Sequence, residues 1–254
     1  MILTPSFVFL HHPKAGGTFV TRVLERLLRP RNPVGRILGR IGGEAAFLDV
    51  NKHGTWREIP VSHRHLPVVT TVRNPYDRYV SEFEYGFWKR RPGSRTRSPQ
   101  FRELFPRFPE LSFEEFVDFW ADAAAGRPTA LPPGDHLGRE SFRFVDFYFR
   151  RPPEEAWPSI DDAYIEGRGW EGDLAPVRFL RMEDLNRELH DYLVGAGFPR
   201  DRVEFVLKEG RILPGGSSRP RDRDWTSYYT PALRGKVRRR ERLLFSAFPW
   251  YDAP

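Results

Sequence analysis

The chain has 254 residues, carries a net charge of +7 and contains no cysteine. That length is enough for one large domain with a substantial core. The missing cysteine excludes disulfide scaffolds, thiolate metal sites and cysteine nucleophiles. Most of the positive charge is arginine, because only five of the 41 basic residues are lysines. Arginine suits phosphate and sulfate groups, so the charge is compatible with an anionic ligand, with nucleic acid, or simply with arginine-rich codon usage.

The sequence offers no sign of membrane insertion or secretion. No apolar run reaches the roughly 20 residues that a helix needs to cross a bilayer. The segment Met1–Leu10 lacks the basic and then apolar pattern of a secretory signal. Together with the absence of cysteine, this predicts a cytoplasmic protein without integral membrane contact.

The first structured segment is predicted to be a strand, a glycine-rich turn and a helix. Ser6–His11 is a short apolar run of the kind found in buried parallel strands. A Gly-Gly turn follows it. From Phe19 onward, apolar residues recur at helical spacing, and Pro30 and Pro33 are expected to end that helix.

Two further segments repeat this order. Val68–Val72 predicts a buried strand followed by a helix from Tyr76, and Val177–Leu180 predicts a third strand followed by a helical stripe over Leu185–Leu193. Strands that alternate with helices are typical of an α/β fold with a central parallel sheet flanked by helices. We expect residues 1–254 to form a single domain of this class.

The rest of the chain is less regular. Ser112–Glu115 reads as a capping box that opens a helix, and Thr230 with Pro231 reads as the start of the last helix. The stretch at about 90–110 is rich in Arg, Pro and Ser and predicts a mobile or variable excursion. Gly126–Trp170 is interrupted by Pro and Gly and allows no assignment, and Gly210–Asp224 reads as a Gly- and Arg-rich loop.

The turn at residues 12–18, HPKAGGT, has the features of an anion-binding loop. Gly16 and Gly17 let backbone N–H groups approach an oxyanion, and the helix that follows directs its positive dipole end to the same point. Lys14 adds a point charge and Thr18 a hydroxyl donor. The loop is not a Walker A motif, because its lysine precedes both glycines. A plain strand-to-helix turn is the alternative.

A second set of polar residues follows the next predicted strand. Arg73 comes directly after it, and Ser81 lies one turn into the next helix. Ligands of open α/β sheets bind beyond the carboxyl ends of the strands, so both turns are expected to face one crevice. Arg73 and Ser81 could take a second phosphate there. The alternative is a local ion pair between Arg73 and Asp77 that only stabilises the turn.

These two segments resemble known binding motifs. FVFLHHPKAGGTFV resembles the 5′-phosphosulfate-binding loop H-x-P-K-T-G-G-T of PAPS-dependent sulfotransferases, and VVTTVRNPYDRYVSEFEY is similar to their 3′-phosphate-binding segment. VRFLRMEDLNREL and SYYTPALRGKV look like the later part of the carbohydrate-type branch. That branch includes the heparan sulfate 2-O- and 6-O-sulfotransferases and bacterial sulfotransferase family 2 proteins. The resemblance implies a P-loop-NTPase-like fold in which residues of about 111–170 form an insert on the acceptor side.

The resemblance also implies roles for particular residues, with PAPS as co-substrate and no metal. Lys14 would contact the sulfonate and the bridging oxygen, the residues of the Gly-Gly turn would bind the 5′-phosphate, and Arg73 with Ser81 would bind the 3′-phosphate. The implied cofactor-binding residues are Pro13, Lys14, Ala15, Gly16, Gly17, Thr18, Arg73 and Ser81. Two positions depart from the family pattern: Ala15 stands where threonine is usual and Phe19 where serine is common.

A base must take the proton of the acceptor hydroxyl, and histidine suits this task because its pKa lies near 6.5. The segment NKHGTWREI resembles the family segment H-x-x-W-x-E, which implies that His53 is the catalytic base. A structural or acceptor-orienting role for His53 is the alternative. His136 lies in a segment that is also similar to the branch and is the second candidate. His11 matches the histidine of the family's loop and is expected to brace the loop.

The function predicted from these segments is O-sulfotransfer from PAPS by in-line displacement, with Lys14 and His53 as catalytic residues. A P-loop-like nucleotide kinase and a basic nucleic-acid-binding protein remain alternatives. The sequence has no Walker lysine, which the kinase would need, and no recognisable nucleic-acid-binding motif. Arg238–Arg240 are expected to form a solvated helix face.

Neither His11-His12 nor His63-x-His65 has metal-ligand spacing, so no metal site is predicted. The acceptor is expected to carry a hydroxyl, with carbohydrate favoured over a lipid or an aromatic natural product.

Overall fold

The computed structural model of the chain describes residues 1–28, 48–91, 94–122, 129–131, 135–210 and 224–252. The chain forms two compact units. The first comprises Met1–Arg73 and Ala175–Pro214, and the second comprises Asn74–Leu174 and Gly215–Pro254. The predicted helix end at Pro30 and Pro33 and most of the predicted loop Gly210–Asp224 lie outside the described residues.

The first unit contains a five-stranded sheet in the order β3-β1-β2-β4-β5. Its strands are β1 Ile2–Leu3, β2 Val8–Leu10, β3 Leu48–Asp49, β4 Val68–Val72 and β5 Val177–Arg181. The three predicted strands are β2, β4 and β5, and they are parallel to one another, with Val8 opposite Val68 and Val68 opposite Val177. β1 and β3 add an antiparallel edge that was not predicted. The predicted α/β class with a parallel-dominated central sheet is confirmed.

Helices follow the parallel strands as expected. The helices of the first unit are α1 Gly17–Leu28, α10 Leu185–Gly195 and α11 Arg200–Val203. Those of the second unit are α2 Pro75–Tyr85, α3 Phe87–Arg90, α4 Pro99–Leu104, α5 Phe113–Asp122, α6 Arg139–Tyr148, α7 Pro153–Ala156, α8 Asp162–Glu166, α9 Trp170–Asp173, α12 Pro231–Arg240 and α13 Arg242–Ala247. None of the described helices is long and apolar enough to cross a bilayer.

One hydrophobic core joins the sheet of the first unit to α1 and α10. Alternate residues of the parallel strands, such as Phe9, Val69 and Leu180, pack with the apolar faces of the two helices. Phe19, which stands where the family commonly has serine, belongs to this core and is 6% exposed. Its role is therefore packing of α1 against the sheet, and this explains the departure from the family pattern.

The second unit is built on aromatic packing and buried ion pairs. The predicted capping box opens α5, where the Ser112 N–H donates to Glu115 at 2.6 Å and the Glu115 N–H donates to Ser112 at 3.2 Å. Helix α6 lies in the region that the sequence left unassigned. Its Glu140 is fully buried and pairs with Arg78 of α2 at 2.7 Å. Arg143 bridges the carboxylates of Glu82 and Glu140, so the two helices α2 and α6 share this network.

The carboxylate of Glu241 closes the N-terminus of α6. It accepts hydrogen bonds from the Tyr79 hydroxyl at 2.5 Å, from the Ser141 N–H and hydroxyl at 2.6 and 2.7 Å, and from the Glu140 N–H at 3.2 Å. Gly138 is needed beside it, because a Cβ there would lie 2.0 Å from Glu241 Oε1. Burial, and next the neighbouring Glu140 carboxylate, raise the pKa of Glu241. The helix thus takes its N-cap from a residue far along the chain.

Several basic residues of α12 and α13 are paired with carboxylates. Arg238 makes two hydrogen bonds to Asp252, at 2.6 and 2.7 Å. Arg239 makes two to Asp135, at 3.0 and 3.1 Å, and Arg242 contacts the same carboxylate. Arg238 and Arg239 are exposed, as expected of a solvated face, and Arg242 is half-buried. Each of the three is paired with a carboxylate of the same unit.

We predict that Glu241→Ala lowers the free energy of unfolding by about 3 kcal/mol, because it leaves four buried donors without their acceptor. Urea denaturation followed by circular dichroism measures the loss. Glu155→Ala removes an exposed carboxylate of the same unit and is expected to change stability by less than about 0.5 kcal/mol. Equal stabilities of the two variants would contradict the capping role of Glu241.

Candidate functional site

The loop between β2 and α1 is tightly curled. Lys14 has φ 60° and Gly16 has φ 87°, so two left-handed residues flank the fully buried Ala15. Such a reversal turns successive backbone N–H groups toward one point and makes an anion-binding concavity. Lys14 adopts the left-handed backbone conformation, which is sterically disfavoured for residues that have a side chain. A strained lysine in a loop of this shape is typical of a functional site.

The two glycines of the loop are required by close packing. A Cβ on Gly16 would lie 2.7 Å from Leu185 Cδ2, and a Cβ on Gly17 would lie 2.0 Å from the ring of His11. The N–H groups of Phe19 and Val20 donate to the Gly16 carbonyl at 2.9 and 3.3 Å and start the helix there. The helix N-terminus therefore begins inside the concavity, as the sequence predicts.

Arg73 joins the two turns at the carboxyl edge of the sheet. Its Nη1 donates to the carbonyl oxygen of Lys14 at 3.1 Å, and the residue is 9% exposed. The neighbouring strands are tied as well, because the Thr70 hydroxyl donates to the Leu10 carbonyl at 2.8 Å. The loop after β2 and the turn after β4 thus meet, as expected for neighbouring parallel strands. Lysine, guanidinium and curled backbone together form a donor set suited to a phosphate or sulfate group.

His53 is held in the first unit by contacts within its own segment. It is exposed, and it lies between Asn51 and Thr55. The Glu58 carboxylate accepts from the Asn51 amide at 2.9 Å and from the Thr55 N–H at 2.7 Å, so it clamps both sides of the segment. Gly54 passes over Met1, where a Cβ would lie 2.4 Å from Met1 Cε. Glu58 is the glutamate of the H-x-x-W-x-E segment, and no role was predicted for it from the sequence. The capping-box pattern Thr-x-x-Glu is the signal that indicates its clamping role.

The ring of His53 faces His11. Nδ1 of His53 lies 3.1 Å from the His11 carbonyl oxygen, and the two ring centroids are 5.3 Å apart. A carbonyl oxygen only accepts, so Nδ1 is assigned as the protonated nitrogen. In the neutral ring the lone pair then lies on Nε2, the nitrogen directed away from that bond.

His11 braces the loop. Its ring lies against Gly17, and it is 7% exposed. Burial, followed by the positive charges of His53 and Lys52, lowers the pKa of His11 to about 3. His11 is therefore neutral near pH 7.

The remaining candidates lie in the second unit. Ser81 is a half-exposed residue of α2. His136 is also half-exposed, and its carbonyl accepts from Arg240 at 3.0 Å. The roles implied for these two residues stay predictions. No group of three or more His, Asp or Glu residues that could hold a metal occurs within the described ranges.

A cavity of about 500 Å³ lies within the second unit. Tyr76 and Trp225 stack in its wall with centroids 5.5 Å apart, and Arg234 lies over the Tyr76 ring at 5.2 Å. Aromatic faces beside an arginine suit a ring-shaped ligand with polar groups.

We predict that His11 makes the protein less stable in acid. Because its pKa is lowered in the folded state, the unfolded chain takes up a proton between pH 6.5 and about 3 that the folded chain does not. The free energy of unfolding is expected to fall by about 2 to 3 kcal/mol between pH 6.5 and 4.5 through this residue alone. Urea titrations over this range should give a shallower slope for His11→Asn. The control His65→Asn, at an exposed histidine, should keep the wild-type slope, and parallel slopes for all three proteins would contradict the assignment.

Comparison with known proteins places the chain in a family. The sulfotransferase family profile matches residues 3–140, which is more than half of the chain. No curated protein is similar enough to count as a match. Among solved structures, mouse sulfotransferase SULT7A1 complexed with PAP is similar over 94% of this chain and 83% of that chain, with 15% sequence identity and a TM-score of 0.43. The family match confirms the predicted enzyme class, that of PAPS-dependent sulfotransferases, and the chain belongs to the sulfotransferase family.

Proposed function

We propose that this protein is an O-sulfotransferase that moves a sulfuryl group from PAPS to a hydroxyl of a carbohydrate or a hydroxylated small molecule. The observation that carries the proposal is the contact of Arg73 with the Lys14 carbonyl, at 3.1 Å, beside a curled Gly-Gly loop. This contact joins Lys14 and Arg73 at one edge of the sheet. They are the residues that the resemblance assigns to the two ends of PAPS.

The residues present fit a phosphosulfate group. The loop residues Pro13–Thr18 would hold the 5′-phosphate through backbone N–H groups and the Thr18 hydroxyl. Arg73 and Ser81 would hold the 3′-phosphate. Ala15 replaces the usual threonine with a buried methyl group, so the loop keeps its backbone donors and lacks one hydroxyl. When bound, PAPS supplies the activated sulfuryl group.

His53 would act as the base. Its Nε2 would accept the proton of the acceptor hydroxyl, while the Nδ1–H donates to the His11 carbonyl and keeps the ring in one tautomer. The acceptor oxygen forms a bond to sulfur as the bond from sulfur to the bridging phosphate oxygen breaks. Lys14 stabilises the negative charge left on that phosphate. Products are the sulfate ester and 3′,5′-ADP, with the proton on His53.

Carbohydrate is the favoured acceptor class. The resemblance to the carbohydrate-type branch supports it. A hydroxylated lipid or an aromatic natural product is the alternative acceptor. No metal ion takes part in this proposal, and the proposed location is the cytoplasm.

We predict that the protein binds 3′,5′-ADP without magnesium and that Lys14→Ala or Arg73→Ala weakens this binding about 10- to 100-fold. Each change removes a charge-assisted contact to a phosphate. Isothermal titration calorimetry measures the affinities. Lys208→Ala removes an exposed lysine of the same unit and is expected to leave the affinity unchanged. Tight binding of ATP with magnesium and none of 3′,5′-ADP would favour the kinase alternative instead.

We predict that transfer of radiolabelled sulfonate from PAPS to a panel of glycans, phenols and hydroxylated lipids identifies an acceptor among the glycans. With that acceptor, His53→Ala is expected to lower kcat about 100- to 10,000-fold while the affinity for 3′,5′-ADP stays unchanged. His136→Ala is the matched comparison and should retain kcat. A normal kcat for His53→Ala together with a collapsed kcat for His136→Ala would transfer the role of base to His136.

A further inference from the structure

Nearly all of the net charge of the protein is concentrated in one short segment. Residues 87–107 contain seven basic residues and one acidic residue, a net charge of +6 against +7 for the whole chain. None of the functions assigned above to Lys14, Arg73 or the helix α12 uses this charge. We call the described residues Phe87–Arg91 and Thr96–Arg107 the basic surface.

The basic surface is a folded part of the second unit. Trp88 of α3 and Phe101 of α4 both pack on Phe108, at 5.9 and 5.2 Å between ring centroids, and both pack on Phe119 of α5, at 5.6 and 5.8 Å. Both helices are thus anchored on the same two rings. Their exposed residues lie around one shared aromatic cluster of the unit.

Most arginines of the basic surface form no ion pair within the part of the chain that the structure describes. Four of its arginines are exposed, and none of the four forms an ion pair with a carboxylate of the described residues: Arg90, Arg91, Arg97 and Arg102. Lys89 and Arg107 differ, since they pair with Glu110 and Glu115 at 3.4 and 3.5 Å. The contrast with α12 is direct, because the exposed arginines Arg238 and Arg239 there are each bound to an aspartate.

Apolar side chains stand among these charges. Leu104 is 65% exposed in the same short helix as Arg102. Phe87 is 49% exposed and stacks on Tyr85, whose ring also lies under the Arg90 guanidinium at 4.9 Å. Exposed Phe and Leu beside arginine are the composition of surfaces that lie on membranes, where the cations meet anionic headgroups and the apolar groups enter the acyl boundary.

We propose that the basic surface docks the protein on an anionic lipid bilayer as a peripheral membrane contact. The four arginines bind the headgroups, and Phe87 and Leu104 enter the interface. A soluble polyanion would use the arginines alone and would gain nothing from the exposed apolar pair. This inference is independent of the proposed function, since neither the donor loop nor His53 belongs to the basic surface.

Co-sedimentation with vesicles tests the proposal. The wild-type protein is expected to bind vesicles of equal parts phosphatidylcholine and phosphatidylserine at low salt, to bind pure phosphatidylcholine poorly, and to be released at about 0.5 M salt. Arg90→Gln with Arg102→Gln should lower the bound fraction at least about tenfold. The matched control is Arg200→Gln with Arg202→Gln, which removes the same charge from two exposed arginines of the first unit and should bind like the wild type.

The apolar pair has its own variant. Phe87→Ser with Leu104→Ser keeps every charge and is expected to weaken vesicle binding several-fold while leaving retention on a heparin column unchanged. Circular dichroism of each variant confirms that the fold is intact. The proposal is overturned if the wild type binds heparin but not anionic vesicles. It is equally overturned if the two double-arginine variants lose vesicle binding to the same extent, or if the serine variant binds as tightly as the wild type.

Discussion

The guanidinium of Arg73 bonded to the Lys14 carbonyl is the contact on which the candidate site depends. It joins the ends of two parallel strands, β2 and β4, and it stabilises a loop in which a lysine adopts a left-handed conformation. The contact exists because parallel neighbours bring their carboxyl ends to one edge. The Arg73 guanidinium stabilises the loop that carries Lys14. The carbonyl oxygen of that loop in turn gives the largely buried Arg73 cation a hydrogen-bond acceptor.

His11 and Glu58 also support the candidate site. His11 fills the space that Gly17 leaves open, its carbonyl orients His53, and its low pKa keeps it uncharged beside that ring. Glu58 clamps the segment that carries His53. The loop, the brace and the candidate base therefore form one connected arrangement within the first unit, and a change in any of them is transmitted to the others by direct contact.

Much of this arrangement could be predicted from the sequence, because strand, turn and helix each leave a local signal. β4 was predicted with its observed bounds, and the loop was recognised from its glycines and lysine. The antiparallel strands β1 and β3 could not be found, since two residues are too short for any periodicity. Helix α6 was missed for another reason: it is only ten residues long and lies in a stretch that Pro and Gly interrupt. The Arg73 contact was beyond prediction because it depends on side-chain direction.

The Glu241 cap has a consequence for how the second unit is made. The carboxylate that closes the start of α6 is 100 positions further along the chain than Ser141, and its other donor, Tyr79, is 162 positions away. During synthesis, the first amide groups of α6 stay uncapped until residue 241 has been made. Contacts of such long sequence separation are slow to form. The N-terminus of α6 is thus completed only when Glu241 reaches it.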